Sequence, residues 1–461
     1  MIPATSFRGA RIGVLGLGRS GLIAAQALGA GGATVAAWDD AAPRREAAAA
    51  AGVPVVDLGR ADLTGIAALI LSPGIPHTHP APHPVVTRAR AAGAEIIGDV
   101  ELLVRSQGRA RYIGITGTNG KSTTTTLIGH ILGLAEARIA VGGNLGTPAL
   151  ALAALGAEGT YILEMSSYQL ELTPSLACAV AILLNVTPDH LARHGGMAGY
   201  IAAKRLIFAG QRAGDAAIIG VDDAIGAGLA AELAREAGRT VLPVSAERAI
   251  PGGVYAADGV LIDDTEGAAA PVLDMTGLAG LPGRHNRQNA AAAYAAARRA
   301  GVAPATAAAA IRSFSGLAHR QELVATLQGV RYVNDSKATN ADAAAKALAC
   351  YEDIYWIAGG LAKEGGIAPL AAYFPRIRHA FLIGQAAAAF ADTLAGAVPH
   401  SRCGDLATAV SAARERALAD GRPGAVVLLS PACASQDQFT DFEERGTAFR
   451  RLVEALAGRP A

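Results

Sequence analysis

Cysteine is scarce in this chain: Cys178, Cys350, Cys403 and Cys433 are the only four in 461 residues, and no two form a CxxC pair. That spacing argues against a disulfide framework and against a zinc site, and it fits a reducing, cytoplasmic setting. An excess of either charge is missing too, with 40 Lys and Arg against 39 Asp and Glu. The balance removes the usual sign of a nucleic-acid partner or an anionic membrane surface. No run of about 18 strongly apolar, uncharged residues occurs, so no transmembrane helix and no membrane insertion are expected. Arg19 interrupts the one early apolar stretch and no basic segment precedes it, so no signal peptide is expected. A chain of this length predicts three domains at about 150 residues each.

Glycine, by contrast, is plentiful, and it is best placed in residues 112–126, YIGITGTNGKSTTTT. Residues 112–115 read as a buried strand and Gly117-Thr118-Asn119-Gly120 as a turn. Lys121-Ser122 then opens a helix with Leu127, Ile128, Ile131 and Leu132 on one face. Strand, glycine turn and helix in that order make a phosphate cradle. Backbone N–H groups converge on phosphate oxygens, the helix N-terminus adds partial positive charge, Lys121 adds a full one, and Ser122 is placed to hold Mg²⁺. A strict Walker A pattern needs glycine at position 115, where Ile115 stands beside Gly114. The threonines at 123–126 are poor helix formers, which a first turn selected for stability alone would avoid.

The chain opens with a strand over 11–15 and a GxGxxG run at Gly16-Leu17-Gly18-Arg19-Ser20-Gly21. A second strand over 33–38 ends in Asp39-Asp40, the distance at which a dinucleotide fold places its ribose acid. The pattern suits any diphosphate, and a turn needed only for packing is the alternative. A strand at 69–71 runs into Ser72-Pro73-Gly74. The histidines that follow, His77, His79 and His83, sit among prolines with no cysteine or carboxylate to complete a ligand set, and are read as a solvated loop. A domain boundary is placed near residue 103.

In the next stretch, strand 160–163 leads to Glu164 and strand 180–184 to His190. Ligands of open parallel sheets gather beyond the carboxyl ends of strands, which would bring Ser122, Glu164 and His190 together as a magnesium and phosphate site. Singly, Glu164 could cap a helix and His190 could be a hydrogen-bonded loop residue. Asn144 is a polar side chain in a glycine-rich loop, and Lys204 lies on an amphipathic helix where a surface lysine is the default. Asn286 and Asn289, three apart at a helix start, could read an adenine edge or cap the helix. Alanine runs at 47–51 and 307–310 read as helices, and Ser315-Gly316 as a linker. From residue 317 the strand–turn–helix grammar repeats, which predicts a second small-molecule site facing the nucleotide.

With ITGTNGKST, LEMSSYQLE, NVTPDH, LPGRHNRQN, NDSKATN and SPACASQDQF in this order, nearly the whole chain resembles the Mur ligases. Within them it resembles the branch that adds D-glutamate to UDP-N-acetylmuramoyl-L-alanine in peptidoglycan synthesis. The GTNGKS cradle is shared with folylpolyglutamate synthetases. The DNPR motif of the branch that adds diaminopimelate or lysine is absent.

The resemblance implies an α/β protein of three domains. Residues 1–103 would be Rossmann-like and bind the UDP-sugar. Residues 104–316 would be a P-loop ATPase-type parallel sheet binding ATP. Residues 317–461 would be Rossmann-like again and hold the amino acid. Gly117, Thr118, Asn119, Gly120, Lys121, Ser122 and Thr123 would cradle the ATP phosphates, with Asn286, Asn289, Arg320 and Asp335 on the rest of the nucleotide. Ser122, Glu164, His190 and Lys204 would hold Mg²⁺, Lys204 as a carbamate. Lys121, Asn144, His190 and Lys204 would carry the catalysis. Gly18, Arg19, Ser20, Gly21, Asp39, Asp40, Ser72, Pro73 and Gly74 would meet the UDP-sugar. Lys337, Thr339, Lys363, Ser435 and Phe442 would define the D-glutamate pocket.

A cytoplasmic monomer working through an acyl phosphate is expected. Three positions depart from the family's pattern: Ala192 replaces an aspartate, Asp40 a hydroxyl residue near uracil, and Lys363 sits in GGLAKEGG. An NAD-dependent dehydrogenase built on the first domain would leave the cradle unexplained, and a nucleotide-switched binding protein is a third reading.

Overall fold

In a computed structural model the described residues are 1–236, 238–362 and 365–457. They form two compact units: Met1–Thr276 with His285–Arg312, and Gly277–Arg284 with the residues from Ser313 onward.

The first unit holds two sheets. One comprises β1 (Arg11–Leu15), β2 (Thr34–Trp38), β3 (Ile66–Leu71) and β4 (Glu95–Ile97), all parallel in the order β2-β1-β3-β4. The other begins with β5 (Arg111–Thr116), β6 (Ile139–Gly143), β7 (Thr160–Glu164), β8 (Val180–Leu183) and β9 (Ala216–Gly220). It continues through β10 (Thr240–Ser245), β11 (Val254–Ala257), β12 (Val260–Asp263) and β13 (Ala270–Asp274). Its order is β13-β12-β11-β10-β9-β8-β5-β7-β6, with every pairing from β6 to β11 parallel and the β11–β12 and β12–β13 pairings antiparallel. That antiparallel edge is the β-rich insertion read near residues 253–264.

Strands covered on both faces must be apolar throughout, and β8 and β9 are buried at every position. One apolar core runs through both sheets, from Ile12, Val14 and Leu28 to Tyr161, Leu183 and Ile219. The seam is also hydrogen-bonded, by the Ile2 amide to the Leu150 carbonyl at 2.7 Å and the Gly98 amide to the Leu172 carbonyl at 2.8 Å. The alanine-rich helix Arg284–Arg299 buries Ala290, Ala291, Ala292 and Ala293 completely.

The second unit carries β14 (Glu322–Leu327), β15 (Val330–Asn334), β16 (Ile354–Gly359), β17 (Ile377–Ile383), β18 (His400–Gly404) and β19 (Val426–Leu429). Their order is β14-β15-β19-β16-β17-β18, parallel except for the edge strand β14. Alternate residues feed opposite cores. Val333, Trp356 and Leu428 face the helices Ala341–Leu348 and Ala387–Leu394, while Tyr332, Tyr355 and Val427 face Leu406–Asp420 and Phe442–Ala457. Each unit is thus an α/β structure in which connections leave functional loops at the carboxyl ends of parallel strands. Among the described residues no helix is long and apolar enough to cross a membrane.

Candidate active site

At the carboxyl end of β5 the chain turns through Gly117 and Gly120 into the helix Lys121–Leu134, as the spacing of residues 112–126 predicts. Gly120 is left-handed at φ 87°, and a Cβ there would lie 2.3 Å from Asn289 Oδ1. Only glycine lets the loop pass this close to the helix that carries Asn289. Asn286 Oδ1 accepts from Asn289 Nδ2 at 2.9 Å, so the two amides are a coupled pair beside the loop.

Asn185 braces the other side. Its carbonyl accepts from the Thr118 amide, and its side chain exchanges hydrogen bonds with both backbone groups of Asn119. The Thr118 hydroxyl reaches the Thr187 carbonyl and lies 3.2 Å from the Tyr200 hydroxyl. Ser122 and Thr123 are buried in the first turn.

Lys121 Nζ donates to the carbonyls of Gly117 at 2.9 Å and Thr118 at 3.0 Å. Lys204 Nζ donates to the same Gly117 carbonyl at 2.9 Å and sits 4.6 Å from the Tyr200 ring centroid. The default reading of Lys204 as a surface lysine is overturned: the residue is 2% exposed. The helix Met197–Arg205 turns this face inward. Burial, then the neighbouring charge of Lys121, pull the Lys204 ammonium down to about 7 against the opposing effect of Asp189.

Glu164 ends β7, buried. Asn144 Nδ2 donates to its Oε1 at 2.8 Å, and the Asn144 amide donates to its carbonyl. Its Oε2 is buried without a partner, an acceptor suited to a hard cation. Glu164 does not cap the helix after it; Ser166 does, in a capping box with Gln169. His190 takes a left-handed φ of 51°, its side chain 56% exposed beside Asp189 at 3.6 Å and the Tyr168 ring at 5.3 Å. Among the described residues no three His, Cys, Asp or Glu side chains gather closely enough to hold a metal. The buried Glu164 oxygen fits Mg²⁺, and a further anionic ligand from Lys204 would require that its charge be reversed.

In the first sheet, the glycine loop leads from β1 into the helix Arg19–Ala30. A Cβ at Gly21 would lie 1.8 Å from the Gly16 carbonyl oxygen, so helix and loop touch through glycine alone. Ser72 Oγ donates to that carbonyl at 3.0 Å, which ties the loop after β3, with Pro73 and Gly74, to the glycine loop. Gly18, Arg19 and Ser20 are left along its partly open rim.

Asp39 accepts from the Leu17 amide at 2.7 Å and the Ala41 amide at 2.9 Å, and lies 3.4 Å from Arg44. Burial works to raise its carboxyl, but those bonds outweigh it and hold the acid below its ordinary value. Asp39 therefore braces the loop, while the exposed Asp40 pairs with His83 at 3.1 Å.

The solvated-loop reading fails at His77, which is 7% exposed. Arg193 Nη2 lies 3.1 Å from His77 Nδ1 and 3.1 Å from the Ile75 carbonyl, while His77 Nε2 lies 3.8 Å from Glu171. Arg193 and Glu171 come from helices 116 and 94 positions further along the chain, which local composition cannot register.

In the second unit, Asp335 follows β15 and is fully buried. It accepts from Ser430 Oγ at 2.8 Å and the Gln321 amide at 3.2 Å. Burial pushes its carboxyl up to about 7, opposed by those two bonds and by Arg320. Lys337 Nζ lies 4.5 Å from the Phe442 ring centroid, and the Phe442 carbonyl accepts from Ser336 Oγ. Ser435 Oγ is buried without a partner, and Thr339 is half-buried with its amide on the Lys337 carbonyl. Lys363 lies outside the described residues.

Sequence reasoning missed Arg445. Its buried guanidinium donates to Ser336 Oγ at 3.0 Å and to the carbonyls of Ser336, Cys433 and Ala434, so it holds the 335–337 and 433–435 loops together. One signal for it existed: Arg445, Phe449 and Val453 recur at helical spacing, so a charge stands in an apolar stripe.

The comparisons with known proteins agree along the chain. The Mur ligase middle domain matches residues 115–297, and the Mur ligase glutamate ligase domain matches residues 319–433. The chain is 55% identical over 456 residues to a UDP-N-acetylmuramoylalanine–D-glutamate ligase of Paramagnetospirillum magneticum, covering 99% of each. It is 54% identical over 462 residues to one of Caulobacter vibrioides, covering 99% of this chain and 98% of the relative. Among solved structures, the UDP-N-acetylmuramate-alanine ligase of Thermotoga maritima aligns with a TM-score of 0.56 over 97% of this chain and 99% of that one. Its identity is 17%, so this likeness bears on the fold alone. With its phosphate loop, its two parallel-sheet units and relatives that match it from end to end, the chain belongs to the Mur ligase family.

Proposed function

We infer that the chain is an ATP-dependent ligase that joins the amine of D-glutamate to the alanyl carboxylate of UDP-N-acetylmuramoyl-L-alanine in peptidoglycan precursor synthesis. The relatives that match it nearly from end to end bear that activity in their names. The observation that carries the chemistry is the convergence of Lys121 and Lys204 on the Gly117 carbonyl, in a loop built for phosphate.

A carboxylate is a poor acyl donor. Its oxygen first attacks the γ-phosphorus of ATP, releasing ADP and leaving an acyl phosphate. The neutral amine of D-glutamate then attacks the acyl carbon, phosphate departs and the nitrogen loses a proton. Two anions must meet in the first step, so cations dominate the site. Mg²⁺, held by Ser122, Glu164, His190 and a modified Lys204, would screen the phosphate charge.

In this reading Lys121, with the loop residues Gly117, Thr118, Asn119, Gly120 and Thr123, orients the phosphates, and Asn144 fixes Glu164. Asn286 and Asn289 take the adenine edge, and Arg320 and Asp335 the rest of the nucleotide. Lys337, Thr339, Lys363, Ser435 and Phe442 form the D-glutamate pocket. The UDP part lies along residues 18–21 and 72–74, with residues 1–103, 104–316 and 317–461 as the three working domains of a cytoplasmic monomer.

A carbamate on Lys204 is supported by its lowered pKa of about 7, which leaves the amine substantially neutral near pH 7. Carbon dioxide adds only to the neutral amine, with loss of one proton, and the product is an anionic oxygen ligand. The deciding experiment measures ADP release with UDP-N-acetylmuramoyl-L-alanine against a panel of D- and L-amino acids. D-glutamate should be preferred over all others, and a clear preference for another amino acid would overturn the assignment.

A further inference from the structure

Asp99 is the first residue of the helix Asp99–Ser106, one glycine after β4. It is 3% exposed, and its carboxylate has no hydrogen bond of good geometry, only the Ser20 hydroxyl and the amides of residues 99 and 100 close by. Its neighbour Glu101 shows the contrast, with Arg105 Nε on one oxygen and the Ser175 amide on the other. Asp99 borders a narrow crevice with no room for a water molecule, shared with Ser20, Gly21, Ala24, Ser72 and Pro73. Ser20 and Gly21 open the helix that leaves the glycine loop, and Ser72 is bonded to the Gly16 carbonyl of that loop. A buried acid with no cationic partner therefore lies against the same helix N-terminus that would receive a diphosphate.

A carboxylate buried without a partner is costly as an anion, and the neutral acid becomes the favoured form. Burial raises Asp99 to about 6, against the pull of the Val100 amide, its own amide and the adjoining Ser20 hydroxyl. Among the described residues no other titratable side chain lines the crevice. The helix Arg19–Ala30 brings the exposed Arg19, and the loop after β3 brings only Ser72 and Pro73. The segment behind Gly98 packs Leu172 against it, and the helix of Asp99 itself carries Glu101, paired with Arg105. A diphosphate on the loop would add negative charge beside a carboxylate with no counter-ion, and like charges favour the protonated acid.

We propose that Asp99 is a proton site linked to substrate binding, taking up one proton when the diphosphate of a nucleotide-sugar settles on residues 18–21. The neutral acid removes a buried negative charge from beneath the phosphates. The proposal rests on the reading of this loop as the UDP-sugar site. By linkage, affinity falls with rising pH between the pKa of Asp99 in the free protein and its higher value in the complex, by at most about tenfold per pH unit.

Titration calorimetry of the full chain with UDP-N-acetylmuramoyl-L-alanine, in two buffers of different ionisation enthalpy, counts the protons taken up. The phosphates of this ligand are esterified and do not titrate between about pH 6 and about pH 8. The expected result is uptake approaching one proton and an affinity that falls across that window. In Asp99→Asn both effects should vanish, with affinity at high pH matching the wild type at low pH.

Absence of uptake in the wild type overturns the proposal, with no variant needed. So does equal uptake in Asp99→Asn or, should that variant not fold, in Asp99→Ser. Failure of the UDP-sugar reading itself looks different: no binding of this ligand at any pH, with NADH bound instead.

Discussion

The ammonium groups of Lys121 and Lys204 both donate to the carbonyl oxygen of Gly117, each at 2.9 Å, although the two lysines are on different helices. Two like charges on one acceptor raise each other's electrostatic cost, and burial together with the Lys121 charge lowers the Lys204 ammonium to about 7. In the proposed mechanism Lys121 is the phosphate-facing charge and Lys204 the amine that is modified.

Lys204→Ala should lower kcat by roughly 10²-fold or more, the scale on which charge-stabilising groups act. Short carboxylic acids should partly restore it by supplying the missing oxygen ligand. Lys204→Arg keeps the positive charge and should be as inactive as the alanine variant. Near-normal turnover by the arginine variant would remove Lys204 from the metal site. Labelled carbon dioxide followed by carbon NMR reports the carbamate independently.

Lys121→Ala should abolish ligation while leaving the thermal transition nearly unchanged, because the lost charge faces phosphate rather than a core. Activity within about twofold of wild type would contradict the role of the loop, since a lost phosphate contact should cost far more.

Gly120→Ala meets two obstacles, a left-handed backbone and the Asn289 amide oxygen 2.3 Å from the new Cβ. The backbone term alone is about 1–2 kcal/mol. The loop should shift and KM for ATP should rise, with less effect on KM for the UDP-sugar. An unchanged KM for ATP would separate this loop from the nucleotide.

Asp335 gives a stability test with a defined sign. Burial raises its folded-state pKa from 3.8 to about 7, so the folded chain holds more protons than the unfolded one between those values. Stability from this group is fully present below the lower value and is lost as pH rises through about 7. Asp335→Asn should therefore raise Tm above pH 7 relative to its effect near pH 5, while ligation falls. A Tm change of the same size at both ends would show that the carboxyl does not titrate in this window.

What the sequence determined by itself is local and contiguous. The cradle from Gly117 to Ser122 needs one strand, two glycines and one helix start, all within about a dozen residues, and periodicity and turn chemistry read such units directly. The apolar runs of β8 and β9 likewise announce strands covered on both faces.

Tertiary structure decided which side chains lost water and what they met there. Lys204 looks like a surface lysine on its own helix, and it is buried where it meets the Gly117 carbonyl, 87 positions earlier. Asp39 reads as a ribose acid until the Leu17 amide, 22 positions away, claims it. His77 reads as solvated until Arg193 and Glu171 close over it. The pKa of an acid or amine depends on desolvation and on charges within a few ångströms, and the chain brings those neighbours from anywhere along its length.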